Sequence, residues 1–227
     1  MQTSFDERLS LKRISSRYLP LLFVLALPLV LLWRLWWGGQ VLFWGVPLTQ
    51  FYAWHSLVKA ALLDGHLPLW NFYLGNGAPL LANHQSGVFY PPNLLYLLLP
   101  VERAMGYLVI LHLTLAALFA GFWGRTIGLA AFGRAVLALS YALGGVVVGR
   151  TQFLPMIYAA AWLPLLLSLA HRLRRRPSVG RAAWLGAAIG LQFLAGHAQW
   201  WFYSLLAVGL YYLFVLVFPS DIDWSAG

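Results

Sequence analysis

The chain has no cysteine. That excludes disulfide cross-links and thiolate metal sites, and it removes any reading of redox compartment. Charge is almost as scarce: Asp, Glu, Lys and Arg together make up 9% of the sequence, against roughly 25% in an average soluble domain. Acids are the scarcer half, six against 15 lysines and arginines. With 61% of 227 residues hydrophobic, a water-soluble fold could not hide its apolar surface. The sequence is therefore expected to be an all-α polytopic membrane protein. It has no internal repeat and no low-complexity tract. No small-residue cleavage site follows the first apolar stretch, so no cleavable signal peptide is expected. The net charge of +9 does not point to nucleic acid, because the basic residues border apolar stretches, where positive-inside bias accounts for them.

What is present is apolar sequence in lengths that cross a bilayer. A spanning helix needs about 20 mostly apolar residues. Six stretches qualify as candidates: Tyr18–Trp37, Met105–Trp123, Phe132–Val148, Phe153–His171, Ala182–Ala195 and Gln199–Phe218. The fifth is short, and Arg134 near the start of the third is expected to snorkel to the interface. Alternate connections differ in charge. One set holds Arg8, Lys12, Arg13, Arg17, Arg125, Arg134, Arg172, Arg174, Arg175, Arg176 and Arg181; the other holds Lys59, Arg103 and Arg150, with Arg34 near the end of the first span. The basic set is expected inside, which makes both termini cytoplasmic. Trp33, Trp36 and Trp37 then form an aromatic belt at the outer interface. The expected organisation is a basic cytoplasmic terminus over 1–17, a transmembrane domain over 18–218 with an outer loop at 38–104, and a cytoplasmic tail at 219–227.

The outer loop is a polar island. Between Gly45 and Pro100 lie His55, His66, His84, Gln50, Asn71, Asn76, Asn83, Gln85, several glycines and six prolines. Proline fixes φ and glycine frees it, so this density specifies a loop shape. Leu48–Leu63 reads as an interfacial amphipathic helix, with Phe51, Trp54, Val58 and Leu62 at helical spacing and Gln50 and Lys59 free to face water. Asp64-Gly65 ends it. Residues 67–71 read as extended, Gly75–Pro79 as a turn, and Pro91-Pro92 opens a short helix over Asn93–Leu99. Two further polar clusters, Gly149–Gln152 and Ala195–Trp200, fall on the same side in this topology. The side lined with arginines carries little other chemistry, so the working surface is expected outside.

Several ordered motifs resemble the bacterial YfhO-type membrane proteins. They are Gln50-Phe51-Tyr52-x-Trp54, Gly65-His66-Leu67-Pro68-Leu69-Trp70-Asn71, Gly77-Ala78-Pro79-Leu80-Leu81-Ala82-Asn83-x-Gln85, Phe89-Tyr90-Pro91-Pro92-Asn93 and Ala195-Gly196-His197-x-Gln199. The resemblance runs from Tyr18 to Phe218. That family is similar to the GT-C glycosyltransferases, which take a sugar from a polyprenyl-phosphate carrier at the outer face. The resemblance implies an envelope glycosyltransferase-like protein of the bacterial cytoplasmic membrane. Its implied partners are membrane lipids, a polyprenyl-phosphate-linked sugar, and an envelope glycan or lipid acceptor, with no cofactor. Members are longer, so the resemblance also implies an amino-terminal portion ending in a truncated tail. The pattern places a carboxylate shortly after the first span, where this sequence has Gly45-Val46-Pro47-Leu48-Thr49. That departure favours an alternative, a non-catalytic module binding a lipid-linked glycan or a partner protein.

Candidate residues divide between chemistry and structure. Arg150 can grip phosphate bidentately, or anchor the interface. His197 can touch phosphate or sugar hydroxyls, or bond a carbonyl at a helix end; Gln199 belongs to the same motif. Trp54 and Trp70 can stack on a sugar or simply mark a bilayer interface. Asn71, Asn83 and Gln85 suit sugar hydroxyls and equally suit closing their own turns. His55, His66, His84 and His197 match no metal-ligand spacing, so no metal is expected. Asp64 reads as a helix end and Glu102 as a partner of Arg103 or solvent, leaving the catalytic residue unassigned. An intramembrane His112 reads as helix packing.

Overall fold

A computed structural model describes residues 22–218. The expected basic terminus at 1–17, the start of the first span and the tail at 219–227 lie outside the described residues. Helix α1 covers Leu22–Leu31 and is followed by a single turn, α2 (Trp33–Trp36). The polar segment contributes a π-helical turn at Pro47–Tyr52 that runs into α3 (Ala53–Leu63), a two-stranded hairpin β1 (Trp70–Asn71) and β2 (Ala78–Pro79), and a short α4 (Leu95–Leu98). The remaining helices are α5 (Val101–Thr126), α6 (Ala131–Ala142), α7 (Gly145–Val148), α8 (Leu154–Ala160), α9 (Leu163–Arg175), α10 (Val179–Leu194) and α11 (Ala198–Val217).

Among the described residues four helical stretches are long and apolar enough to cross a bilayer: Val101–Thr126, Ala131–Val148, Leu154–Arg175 and Ala198–Val217. Two shorter apolar helices, Leu22–Leu31 and Val179–Leu194, accompany them. Burial separates the four into two kinds. In the most apolar 18-residue window of each, 61% of Val101–Thr126 and 72% of Leu154–Arg175 is buried by protein, against 11% of Ala198–Val217. A helix as apolar as α11 with Leu206, Leu210, Leu213 and Phe214 exposed is suited to hydrocarbon, not water.

Helix α5 is the hub. Its C-terminal half carries Ala116, Ala117, Ala120, Gly121 and Gly124, all buried; the alanines meet Ala135, Ala138 and Ala142 of α6 and Ala161, and Gly124 faces Arg134 and Leu137. Small residues let helix backbones approach closely, which is how helices associate where no water drives them together. Arg134 takes part in this contact. It is buried, not snorkelled, and its aliphatic stem packs where Gly124 leaves room.

Proline breaks one of the long stretches, Leu154–Arg175. Pro164 has no N–H to give Ala160, so α8 and α9 part there. The Tyr141 hydroxyl donates to the freed Ala160 carbonyl at 2.7 Å, and Gln192 Nε2 donates to Ala159 at 2.9 Å. Backbone groups freed inside an apolar bundle need such partners.

Candidate functional site

The polar segments, far apart in sequence, pack into one layer. The loop at 83–93 lies against the α10–α11 turn: His84 Nε2 donates to the Phe193 carbonyl at 2.6 Å, and its ring lies 4.5 Å from that of Phe193. Gly196 makes the contact possible. It has φ of +90°, and a Cβ there would stand 2.8 Å from the His84 carbonyl oxygen and 3.3 Å from Gln85 Cα. The connection after α7 joins from the other side, with Gln152 Oε1 about 3.6 Å from the place a Cβ on Gly45 would occupy.

Local structure follows the expected pattern with three differences. The helix expected at Leu48–Leu63 forms, but it buries His55 alongside Phe51 and Val58. Burial drives the His55 imidazole down to about 3, and its ring stacks 3.9 Å from Tyr96. Lys59 does not face water freely; its Nζ donates to the Leu99 carbonyl at 2.7 Å, tying α3 to the end of α4. The hairpin pairs Trp70 with Pro79 and Asn71 with Ala78, so the turn expected at Gly75–Pro79 includes strand β2.

The predicted site residues separate into four places. Asn71 is buried, and its Oδ1 accepts from the Tyr73 amide at 2.9 Å. Asn83 likewise caps its own turn, accepting from the Gln85 amide at 3.2 Å. Both therefore serve their turns. Gln85 is exposed and Gln50 Nε2 donates to its Oε1 at 3.1 Å. Trp70 is half exposed and lines a cavity between α3 and the hairpin. His197 caps α11, its Nδ1 accepting from the Trp200 amide at 3.2 Å. Burial holds its imidazole below the ordinary value, and nearby His84 pushes the same way. Gln199 is exposed and donates to Tyr203 Oη at 2.7 Å. Arg150 is exposed, its guanidinium 5.8 Å from the Phe153 ring. A cavity of about 280 Å³ lies beside Asn83, His84 and Phe193; neither Arg150 nor His197 lines it. Among the described residues no three His, Asp or Glu side chains gather as a metal cluster.

Beneath this layer runs a buried polar column that sequence reasoning did not assemble. Trp162 Nε1 donates to Tyr90 Oη at 3.0 Å, and Tyr90 Oη lies 2.7 Å from His112 Nε2. His112 Nδ1 lies 2.7 Å from the Leu108 carbonyl. That carbonyl can only accept, so Nδ1 carries the proton and Nε2 accepts from Tyr90. The His112 ring also stacks 4.0 Å from Tyr158. The one sequence signal for the column was His112, a polar residue in the middle of an apolar run; Tyr90, 22 residues away, stands in the Phe89–Asn93 motif, but nothing there pairs it with His112.

No protein-family model, no curated protein and no solved structure matches this chain.

Proposed function

We propose that this chain is a six-span protein of the bacterial cytoplasmic membrane, with both termini inside, whose polar layer lies at the outer face and receives a polyprenyl-phosphate-linked sugar. Two shorter helices, Leu22–Leu31 and Val179–Leu194, complete the six. The observation that carries the reading is the convergence of the polar segments around Gly45, His84, Gln152 and Gly196. Polar side chains collected at the end of an apolar bundle face the headgroup region, where a carrier's phosphate and sugar sit. Arg150, exposed in that layer, supplies the cation for the phosphate. His197, Gln199 and Gln85 offer hydrogen bonds to the sugar; Asn83 does so only with the lone pairs its own turn leaves over. The motifs that resemble YfhO-type and GT-C-like proteins supply the same assignment, with an envelope glycan or lipid as acceptor.

Truncating Arg150 is the test. Losing a buried, phosphate-bonded arginine costs on the order of 2–5 kcal/mol, and exposure reduces this. Arg150→Ala is expected to weaken binding of a short-chain polyprenyl phosphate about tenfold, with Arg103→Ala close to wild type. Equal binding by Arg150→Ala and wild type in detergent removes Arg150 from the site.

The non-catalytic reading is favoured by one observation. Asp64 is exposed at the end of α3, and Glu102 sits in the first turn of α5; neither contacts the His84–Phe193–Gly196 junction. Proteoliposomes given radiolabelled polyprenyl-phosphate sugar and envelope extract decide the matter. Binding without transfer identifies a binding module; transfer identifies an enzyme.

A further inference from the structure

We infer that the cleft between α3 and the β1–β2 hairpin is a binding site for a neutral saccharide, separate from the carrier site. The cleft encloses about 470 Å³, within the range of ordinary ligand pockets. One wall is apolar, formed by Leu57 and Ala61 of α3; the other presents Trp70, Phe72 and Tyr73. Asp64 and His66 line it as well. This is the amphipathic composition that a sugar ring matches. The C–H bonds on one face of a pyranose are weakly positive and sit against the negative face of an aromatic ring. The hydroxyls around its edge need acceptors and donors, which a carboxylate and an imidazole supply.

Three observations favour this occupant. First, Trp70 is held in place: a Cβ on Gly77 would lie 2.2 Å from Trp70 Nε1, so the indole lies directly over the glycine, whose φ is +93°. The platform is fixed before a ligand arrives. Second, Asp64 sits at the C-terminal cap of α3. A carboxylate there faces the negative end of the helix dipole, which disfavours it, and among the described residues its side chain has no hydrogen-bond or charge partner. Helix termination alone does not call for an acid. Third, among the described residues no lysine or arginine lines the cleft, so its lining does not suit phosphate.

Phe72 and Tyr73, 78% and 84% exposed, also resemble a membrane anchor. An anchor would carry Asp64 and His66 toward hydrocarbon, where an ionised side chain is strongly disfavoured. The saccharide reading leaves them in water or on hydroxyls.

The test uses the purified full chain in nanodiscs with three neutral probes, maltotriose, cellotriose and the fully N-acetylated chitotriose, and reads saturation-transfer NMR. At least one probe is expected to bind with millimolar affinity. Trp70→Phe, which keeps an aromatic face, should stay within roughly threefold of wild type, whereas Trp70→Leu should lose about tenfold, because only the former stacks. Binding by none of the probes overturns the site, and so does wild-type affinity in Trp70→Leu. A nitroxide at Tyr73→Cys, placed in a chain without other cysteines, should report water; hydrocarbon accessibility overturns the proposal in favour of an anchor. The probes carry neither phosphate nor prenyl chain. Retained polyprenyl-phosphate binding with no trisaccharide binding therefore sinks this site alone, and the converse sinks the carrier reading alone.

Discussion

His55 is a base held where a proton is unwelcome. It is buried in α3 against Tyr96, and its imidazole is driven from 6.5 down to about 3. The unfolded chain binds the proton first, so stability is fully present above 6.5 and is lost as pH falls toward 3. At about 1.4 kcal/mol per pKa unit, the whole effect is on the order of 5 kcal/mol. Thermal melts in detergent should fall between pH 6.5 and pH 4, and His55→Phe, which keeps the ring against Tyr96, should flatten that fall. An unchanged slope in the variant puts the acid sensitivity elsewhere. Tyr90 is the complementary case, a hydroxyl serving both Trp162 and His112. Tyr90→Phe leaves a buried indole N–H and a buried imidazole nitrogen unpaired, at a cost of about 2 kcal/mol. Melting temperature checks this; no loss would mean the column is not cooperative.

Whole elements are joined by contacts that tolerate little extra volume. The α10–α11 turn meets the polar loop through Gly196, where a side chain would both strain a positive φ and strike the His84 carbonyl at 2.8 Å. Gly196→Ala should destabilise by on the order of 2–3 kcal/mol and loosen the loop. A useful contrast is Gly186 inside α10, where an added Cβ meets nothing within 4 Å. Gly186→Ala should be neutral or stabilising by up to about 1 kcal/mol. If both substitutions shift the melt equally, the 83–93 loop is not seated on Gly196. Alkylation of Asn83→Cys, faster in the Gly196→Ala background, gives an independent reading of the same contact.

At the scale of the molecule, charge distribution underlies the proposed orientation. Arg172, Arg174, Arg175 and Arg176 end α9, and Arg181 lies in the first turn of α10. The polar layer lies at the other end of α10, around the α10–α11 turn. On the topology proposed above, positive-inside bias puts the arginines in the cytoplasm. In intact cells an impermeant maleimide should label Asn83→Cys and leave Arg175→Cys unlabelled until the membrane is opened. The reverse pattern overturns the topology and, with it, the outer-face assignment of Arg150 and His197.

Helical class, the four helices long and apolar enough to cross a membrane and most element positions were legible in the sequence because they depend on local quantities. Hydropathy over a window located α5, α6, α9 and α11, and proline and glycine located the end of α3 and the start of the helical turn at Pro91–Leu94. Lys59 and Arg134 were misjudged for one reason: a charged side chain's neighbours across the bundle, Leu99 and Gly124, leave no trace at its own position. The same holds for the site. Asn71 and Asn83 were legible as turn residues, since their partners lie two residues away. That His84 rests on Phe193, that His55 stacks on Tyr96, and that Asp64 shares a cleft with Trp70 was decided only by tertiary packing. Contacts between residues tens of positions apart depend on how helices meet, and helix periodicity tells each element which face to bury but not against what.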